Sequence, residues 1–380
     1  MERPVAELLT AAASWLLPAL LVLHAVRRMC FAGAALLRPR ESAPAACFPI
    51  AVLVAAHDEE KLLPETLDAL SRLDYPLDLL RFVAVNDGST DGTGALLREW
   101  AAADPCRVLV DLPESVGKAA ALNSALQYAG DASLVAVYDG DTVPEPQALR
   151  ALSGAFMDPR TAAATGVRLP RLANSAPAAR YAALESVVYQ YVTLAAKDRL
   201  RLNPPTIGAN CCYRLEPLLE VGGFPPGAYS EDIEVSLALA AAGWRTRFVR
   251  QARSRSLVAA TLAHFIQQRL RWSAGLRRSG RRGRGLEAWA TSTGYADRVL
   301  MLICALSIAA GLMSLTWMLL WVVPPLVSAG VALGRAPRFA SPLGLLAAML
   351  VMAPVDLAVS VFSSLTRHRP GKPGWKPLRG

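Results

Sequence analysis

Ile50-Ala51-Val52-Leu53-Val54-Ala55-Ala56 runs directly into His57-Asp58-Glu59-Glu60, and then into a stretch with Leu62, Leu63, Leu67 and Leu70 on one side. An unbroken apolar run of this length fits a strand covered on both faces, and leucines at helical spacing fit a helix packed against it. The strand, polar loop and helix recur. Residues 81–85 lead through Asn86-Asp87-Gly88-Ser89 to a helix at 93–103, residues 107–110 precede a helix at 118–128, and a strand at 133–138 enters Asp139-Gly140-Asp141. This alternation predicts an α/β domain with a mostly parallel sheet covered by helices on both faces. Ligands of such sheets bind at the carboxyl ends of the strands, so the polar residues after each strand should converge on one crevice. Beyond a further strand at 161–167 the pattern turns helical. Residues 176–200 carry Tyr181, Leu184, Val188, Tyr191 and Val192 as an apolar side, and helices follow at 230–243 and 259–276.

The chain has 380 residues, 53% of them apolar, and a mean hydropathy of +0.30, which is high for a wholly soluble protein. The apolar residues concentrate at the two ends. Residues 8–26 form a candidate membrane span followed by Arg27, Arg28, Arg38 and Arg40. The leading Glu2, Arg3 and Glu7 lack the positive character of a signal peptide, and the arginines favour an anchor with a cytoplasmic domain after it. At the other end, residues 299–333 are apolar apart from a break at Pro324-Pro325, and residues 342–365 form a second stretch with one acid, Asp356. The tail carries Arg367, Arg369, Lys372, Lys376 and Arg379, so a cytoplasmic tail implies two C-terminal spans. Arg335 and Arg338 leave three open. The division expected is an anchor and linker at 1–47, a catalytic domain at 48–276, a basic interfacial segment at 277–298, and membrane helices with a basic tail at 299–380.

A net charge of +9 raises the question of nucleic acid, but the clearest basic run, Arg277, Arg278, Arg281, Arg282 and Arg284, lies just before the C-terminal apolar stretches. Anionic lipid is the expected partner, and no nucleic acid. The six cysteines show no metal-type pairing and the four histidines are scattered, so neither a disulfide framework nor a zinc site is expected.

In an extended strand end, residues i and i+2 point the same way, so Asp139 and Asp141 can face one ligand. Paired hard oxygens suit Mg2+ or Mn2+, which can neutralise a diphosphate; an ordinary Asp-Gly turn would use the same residues. Asp87 and Lys118 belong to the same sheet edge, Asp87 able to accept from a base and Lys118 to meet a phosphate at a helix start. Glu231-Asp232 opens a helix, where Ser230 could cap and the acids could complement the helix dipole; otherwise one of them is a general base. Gln268, Arg271 and Trp272 share a helix face that could hold a pyrophosphate and stack on a sugar, or anchor at a membrane interface.

In this order, Ala56-His57-Asp58-Glu59-Glu60, Asn86-Asp87-Gly88-Ser89-Thr90-Asp91, Gly117-Lys118-Ala119 with Leu122-Asn123, Asp139-Gly140-Asp141, Gly222-Gly223-Phe224, Ser230-Glu231-Asp232 and the segment from Gln268 to Trp272 resemble glycosyltransferase family 2. The likeness is to the membrane-embedded synthases of cellulose, chitin, hyaluronan and poly-N-acetylglucosamine. The resemblance implies a GT-A (Rossmann-like) cytoplasmic catalytic domain in the cell membrane. Asp87, Glu59, Lys118 and Asp139 would bind the nucleotide sugar, Asp87 through the base, and Asp141 with Asp139 would hold Mg2+ or Mn2+. Asp232 would be the catalytic base supported by Glu231, and Gln268, Arg271 and Trp272 would bind pyrophosphate and acceptor. Asp58, Asn86 and Ser230 depart from the family's usual asparagine, aspartate and threonine.

The implied activity is inverting transfer from a UDP-sugar to a growing polysaccharide, processive and coupled to export. The alternative is transfer of one sugar to a membrane lipid, which the small number of spans favours. A homo-oligomer or export partner remains open. A catalytically dead scaffold is disfavoured by the retained Asp139, Asp141, Asp232, Arg271 and Trp272.

Overall fold

In the computed structural model, residues 3–38, 47–282 and 296–366 are described. The chain begins with helix α1 (Arg3–Leu36) and continues through β1 (Ile50–Ala56), α2 (Leu63–Ser71), β2 (Leu80–Asp87), α3 (Thr93–Ala102), β3 (Arg107–Leu112), α4 (Lys118–Leu126) and β4 (Leu134–Asp139). A two-residue strand β5 (Val143–Pro144), α5 (Ala148–Ser153) and β6 (Thr161–Arg171) follow. Helix α6 (Pro177–Val188) passes through one wider π-type turn into α7 (Ala195–Arg199). Next come β7 (Cys211–Arg214), α8 (Leu215–Glu220), α9 (Glu231–Ala241), β8 (Arg245–Leu257) and α10 (Leu262–Arg282). The chain closes with α11 (Ala296–Ala309), α12 (Leu319–Leu333) and α13 (Pro342–Thr366).

One eight-stranded sheet runs in the order β3-β2-β1-β4-β7-β6-β8-β5. Its first half is the predicted parallel unit: Ile50 lies opposite Leu80 and Leu134, and Ala55 opposite Asp139. Every residue of β1 is buried. Because side chains alternate across a strand, Ile50, Val52 and Val54 pack under α2, α3 and α5, whereas Ala51, Leu53 and Ala55 pack against α4 and α9. The second half keeps the sheet mostly parallel, as expected: β6 and β8 run with β1–β4, and among the described strands β5 and β7 oppose them. Strand β7 is antiparallel to both β4 and β6, β5 is antiparallel to β8, and only β6 and β8 pair in parallel. The antiparallel strands β5 and β7, and the parallel strand β8, lie where the sequence pattern suggested none.

Among the described residues three helical segments are long and apolar enough to cross a membrane: Trp15–Leu36, Leu315–Leu333 and Pro342–Ser364. The N-terminal helix extends past the expected span, so Arg27 and Arg28 lie within it rather than after its end. The apolar stretch at 299–333 divides into the short α11 and the longer α12, joined through a single 3-10 turn at Leu315–Met318. Large apolar side chains on these helices face outward, among them Trp15, Leu306, Leu343 and Leu350. Their inner faces join the domain: Ala32 and Ala332 pack with Tyr191, Leu184 with Ala329 and Leu345, and Phe265 with Met352. The basic tail and residues 283–295 of the interfacial segment, including Arg284, lie outside the described residues.

Candidate active site

The parallel register brings the ends of β1, β2 and β4 side by side, so the loops after them meet. Thr66 Oγ1 donates to the Gly140 carbonyl (2.8 Å), which ties helix α2 to the Asp139-Gly140-Asp141 turn. A Cβ on Gly140 would fall onto Glu59 Oε2 and within 3.3 Å of Ala56 Cβ. Glycine here lets the Glu59 carboxylate press against the turn. Glu59 is 6% exposed and its Oε2 has no hydrogen-bond partner among the described residues. Burial, and then the charges of Asp141 and Asp139, push its carboxyl well above the usual range. Asp141 is likewise pushed up, to about 6, by burial and by Asp139.

Lys118 opens α4 after Gly117, whose φ of 87° is a conformation that glycine adopts readily. Its Nζ lies 2.6 Å from Asp139 Oδ1 and 3.1 Å from Glu231 Oε1, and donates to the Gly208 carbonyl at 2.8 Å. One ammonium thus clamps the β4 turn to the start of α9. Burial alone would lower its pKa, but Asp139 and Glu231 outweigh burial and raise it. Arg168 on β6 approaches Asp139 Oδ2 from the other side at 3.9 Å.

At the start of α9, Ser230 makes no side-chain cap; its hydroxyl lies against Gly275 of α10 instead. The capping explanation of Ser230-Glu231-Asp232 therefore fails. Burial works against ionisation of Glu231, but Lys118 overcomes it and holds this carboxyl below its usual value. Asp232 is the opposite case: burial and the neighbouring Glu231 charge push it up to about 7. Two adjacent carboxyls with pKa values driven apart are suited to different tasks, one to remain charged and one to exchange a proton near neutrality.

Gln268, Arg271 and Trp272 of α10 line the same cavity as Glu59, Lys118, Asp139, Asp141, Glu231 and Asp232. Arg271 Nε is buried without a hydrogen-bond partner among the described residues. Asp87 is the predicted residue that does not reach this wall. It is fully buried, and its carboxylate accepts from Ser115 Oγ and from the backbone of Val116 and Gly117 at 2.8–3.0 Å. These bonds make Asp87 fix the loop that leads into Lys118. Asn123 exchanges hydrogen bonds with the Phe224 backbone (2.7 and 2.9 Å), so these two motifs hold the scaffold together. Arg168 and Gly208 were not singled out from sequence. Arg168 ends up near Asp139 because β6 and β8 extend the sheet, and Gly208 because its φ of 81° folds its carbonyl onto Lys118.

Among the described residues no three His, Cys, Asp or Glu side chains gather around one ion position. The set still fits Mg2+ or Mn2+, which commonly take one or two carboxylates and complete their shell from substrate phosphates and water. The unpartnered Glu59 oxygen and the raised Asp141 carboxyl mark a site short of positive charge. All these side chains border one cavity of about 2480 Å3 that continues between the apolar helices, past Leu23, Met301, Val322, Leu326 and Leu350.

Comparison with known proteins agrees with this layout. A Bacillus subtilis (strain 168) protein named "Probable glycosyltransferase YdaM" is 29% identical over 231 residues, 60% of this chain and 54% of that protein. A Staphylococcus aureus poly-beta-1,6-N-acetyl-D-glucosamine synthase is 30% identical over 234 residues, with the same coverage. The match therefore spans about half the length of these relatives. The solved mannosyltransferase PcManGT from Pyrobaculum calidifontis, in complex with GDP-Man and Mn2+, superposes with a TM-score of 0.64 at 23% identity, covering 95% of this chain and 98% of that one. The fold is thus the GT-A type, with helices at both ends long and apolar enough to span a membrane. A family model described as "Glycosyltransferase like family 2" matches residues 48–275, well over half of the sequence and all of the motifs above, and the chain belongs to glycosyltransferase family 2.

Proposed function

We propose that this protein is a multi-pass membrane glycosyltransferase with its catalytic domain on the cytoplasmic face. It would transfer a sugar with inversion from a UDP-sugar to a hydroxyl of a membrane lipid. The observation that carries the reading is the continuity of one cavity from the Glu59, Asp141 and Asp232 carboxyls to the apolar walls of α1, α12 and α13. A glycan threaded between those walls would leave its hydroxyls without partners, which is costly; an acyl chain would not. Extension and export of a polysaccharide is the second reading, favoured by the name of the staphylococcal relative.

Asp141 and Asp139 would hold a divalent cation, which supplies charge neutralisation for the departing diphosphate. Lys118 restrains Asp139 and Glu231, so the two acidic motifs keep a fixed separation as the donor binds. Arg271 lines the cavity, where its guanidinium can pair with a diphosphate. Asp232, poised to titrate about neutrality, takes the proton of the attacking hydroxyl. A single in-line displacement then inverts the anomeric configuration, with Trp272 offering a ring face to the acceptor.

Membrane vesicles from cells expressing the full chain test this. They would be incubated with radiolabelled UDP- or GDP-sugars, with Mn2+ or Mg2+, and with or without EDTA. EDTA-sensitive label from a UDP-sugar in solvent-extractable lipid is the expected result. Label confined to a polymer ladder would replace the lipid reading with the polysaccharide one. No label beyond that of an Asp232→Asn control would remove both.

A further inference from the structure

Arg269 lies within the Gln268 to Trp272 segment, about 100° around the helix from Gln268, and borders the cavity together with Glu185, Arg298 and Asp356. Its side chain is 2% exposed; Nη2 is 2.5 Å from Glu185 Oε2 on α6 and Nε 2.8 Å from Asp356 Oδ1 on α13. Asp356, the one acid of the last apolar stretch, is 2% exposed overall. Its Oδ2 lies 3.2 Å from Arg298 Nη2 of α11 and accepts from Tyr181 of α6 at 3.2 Å. Arg298 also approaches Glu185 Oε1 at 3.7 Å. Two arginines and two carboxylates thus balance, and they join four helices. Two turns past Asp356, Ser363 of α13 donates at 2.7 Å to Ser273 of α10, one turn past Arg269.

A charge pair buried beside apolar helices costs desolvation and is weak evidence of stabilisation. An ionisable residue in a membrane segment more often serves function through a named partner. Here the partner is Arg269 of α10, whose guanidinium also lies 5.8 Å from the Trp272 ring centroid. We propose that Asp356 is a positioning residue: through Arg269 it locks the rotation of α10, so that Gln268, Arg271 and Trp272 face the cavity, and it couples that face to the last membrane helix. This rests on the reading of the α10 face given above.

The deciding variant is the double replacement Arg269→Met with Asp356→Leu, which leaves Arg298 and Glu185 to balance each other. Apolar replacement of a buried pair is often neutral for stability, so the full chain should keep its thermal midpoint. It should also keep wild-type affinity for UMP, which lacks the β-phosphate that Arg271 would meet. Lipid-labelling turnover should nevertheless fall roughly 10–100-fold, the scale of a 1 Å misplacement. Asp356→Asn should lose turnover similarly and Asp356→Glu recover part of it. Wild-type turnover in the double variant overturns the proposal, and so does wild-type turnover in Asp356→Asn. Trp272→Ala separates the two ideas: unchanged turnover there sinks the reading of the α10 face. If Trp272→Ala is inactive while the double variant transfers normally, the positioning role alone fails.

Discussion

Replacing Asp232 with asparagine keeps the shape of the α9 start and removes its proton acceptor. Burial and the Glu231 charge place the Asp232 carboxyl at about 7, so about one molecule in ten is ionised near pH 6 and about nine in ten near pH 8. Turnover that requires the carboxylate should therefore rise roughly tenfold between those pH values. The quantity to follow is kcat/KM for the donor, because it reports the titration of the ligand-free enzyme. Asp232→Asn should lower it by roughly 10²–10⁴-fold and abolish the acidic limb. The same shift has a stability consequence. Between the ordinary value of 3.8 and about 7 the folded chain retains a proton that the unfolded chain releases. Stability from this group is thus full below that window and is lost as pH rises through it. The inactive Asp232→Asn protein should then melt higher than wild type near pH 8. A flat wild-type profile across the window, or an asparagine variant that keeps the limb, would refute the assignment of Asp232 as base.

Lys118→Met would leave Asp139 and Glu231 without the ammonium between them, and breaking a buried pair costs about 3–5 kcal/mol. A lower thermal midpoint is expected, together with an acidic limb moved to higher pH, because Lys118 acts to lower Asp232; an unmoved limb would show that the two do not interact. Gly140→Ala would drive a methyl into Glu59 Oε2. It should cut turnover about 100-fold and weaken Mn2+ activation in a metal titration, and wild-type behaviour would show that the turn yields.

The parallel half of the sheet was legible because its strands are buried on both faces and consist of apolar residues with polar residues only at their ends. Strand β8 was not, although it has 13 residues. Arginines at 245, 247, 250, 253 and 255 interrupt it, while Thr246, Phe248, Ala252 and Ser254 are buried. The arginines persist because they have partners: Arg247 Nε lies 2.7 Å from Asp198 Oδ1 and Arg245 Nη1 3.5 Å from Asp158 Oδ2. A charge satisfied by a residue far along the chain reads locally as a loop. Strand β7, four residues with two cysteines, is too short to establish a period.

The site divides along the same line. Asp139, Asp141, Lys118, Glu231 and Asp232 could be found because each follows a strand or opens a helix, positions that the topology carries to one edge. What those positions do not reveal is which oxygen is already spoken for. Asp87 has the position of a ligand-binding residue, and its carboxylate also accepts from the backbone at 116–117. Arg269 sits inside a recognisable motif, yet its partner Asp356 lies on another helix 87 positions later. The lone acid in an apolar stretch was visible as an anomaly, and an anomaly of that kind implies a buried counter-charge. Identifying the counter-charges as Arg269 and Arg298, rather than other arginines of the chain, required the packing of α13 against α10 and α11. That packing gives the lone acid its proposed role in positioning the residues that would meet the acceptor.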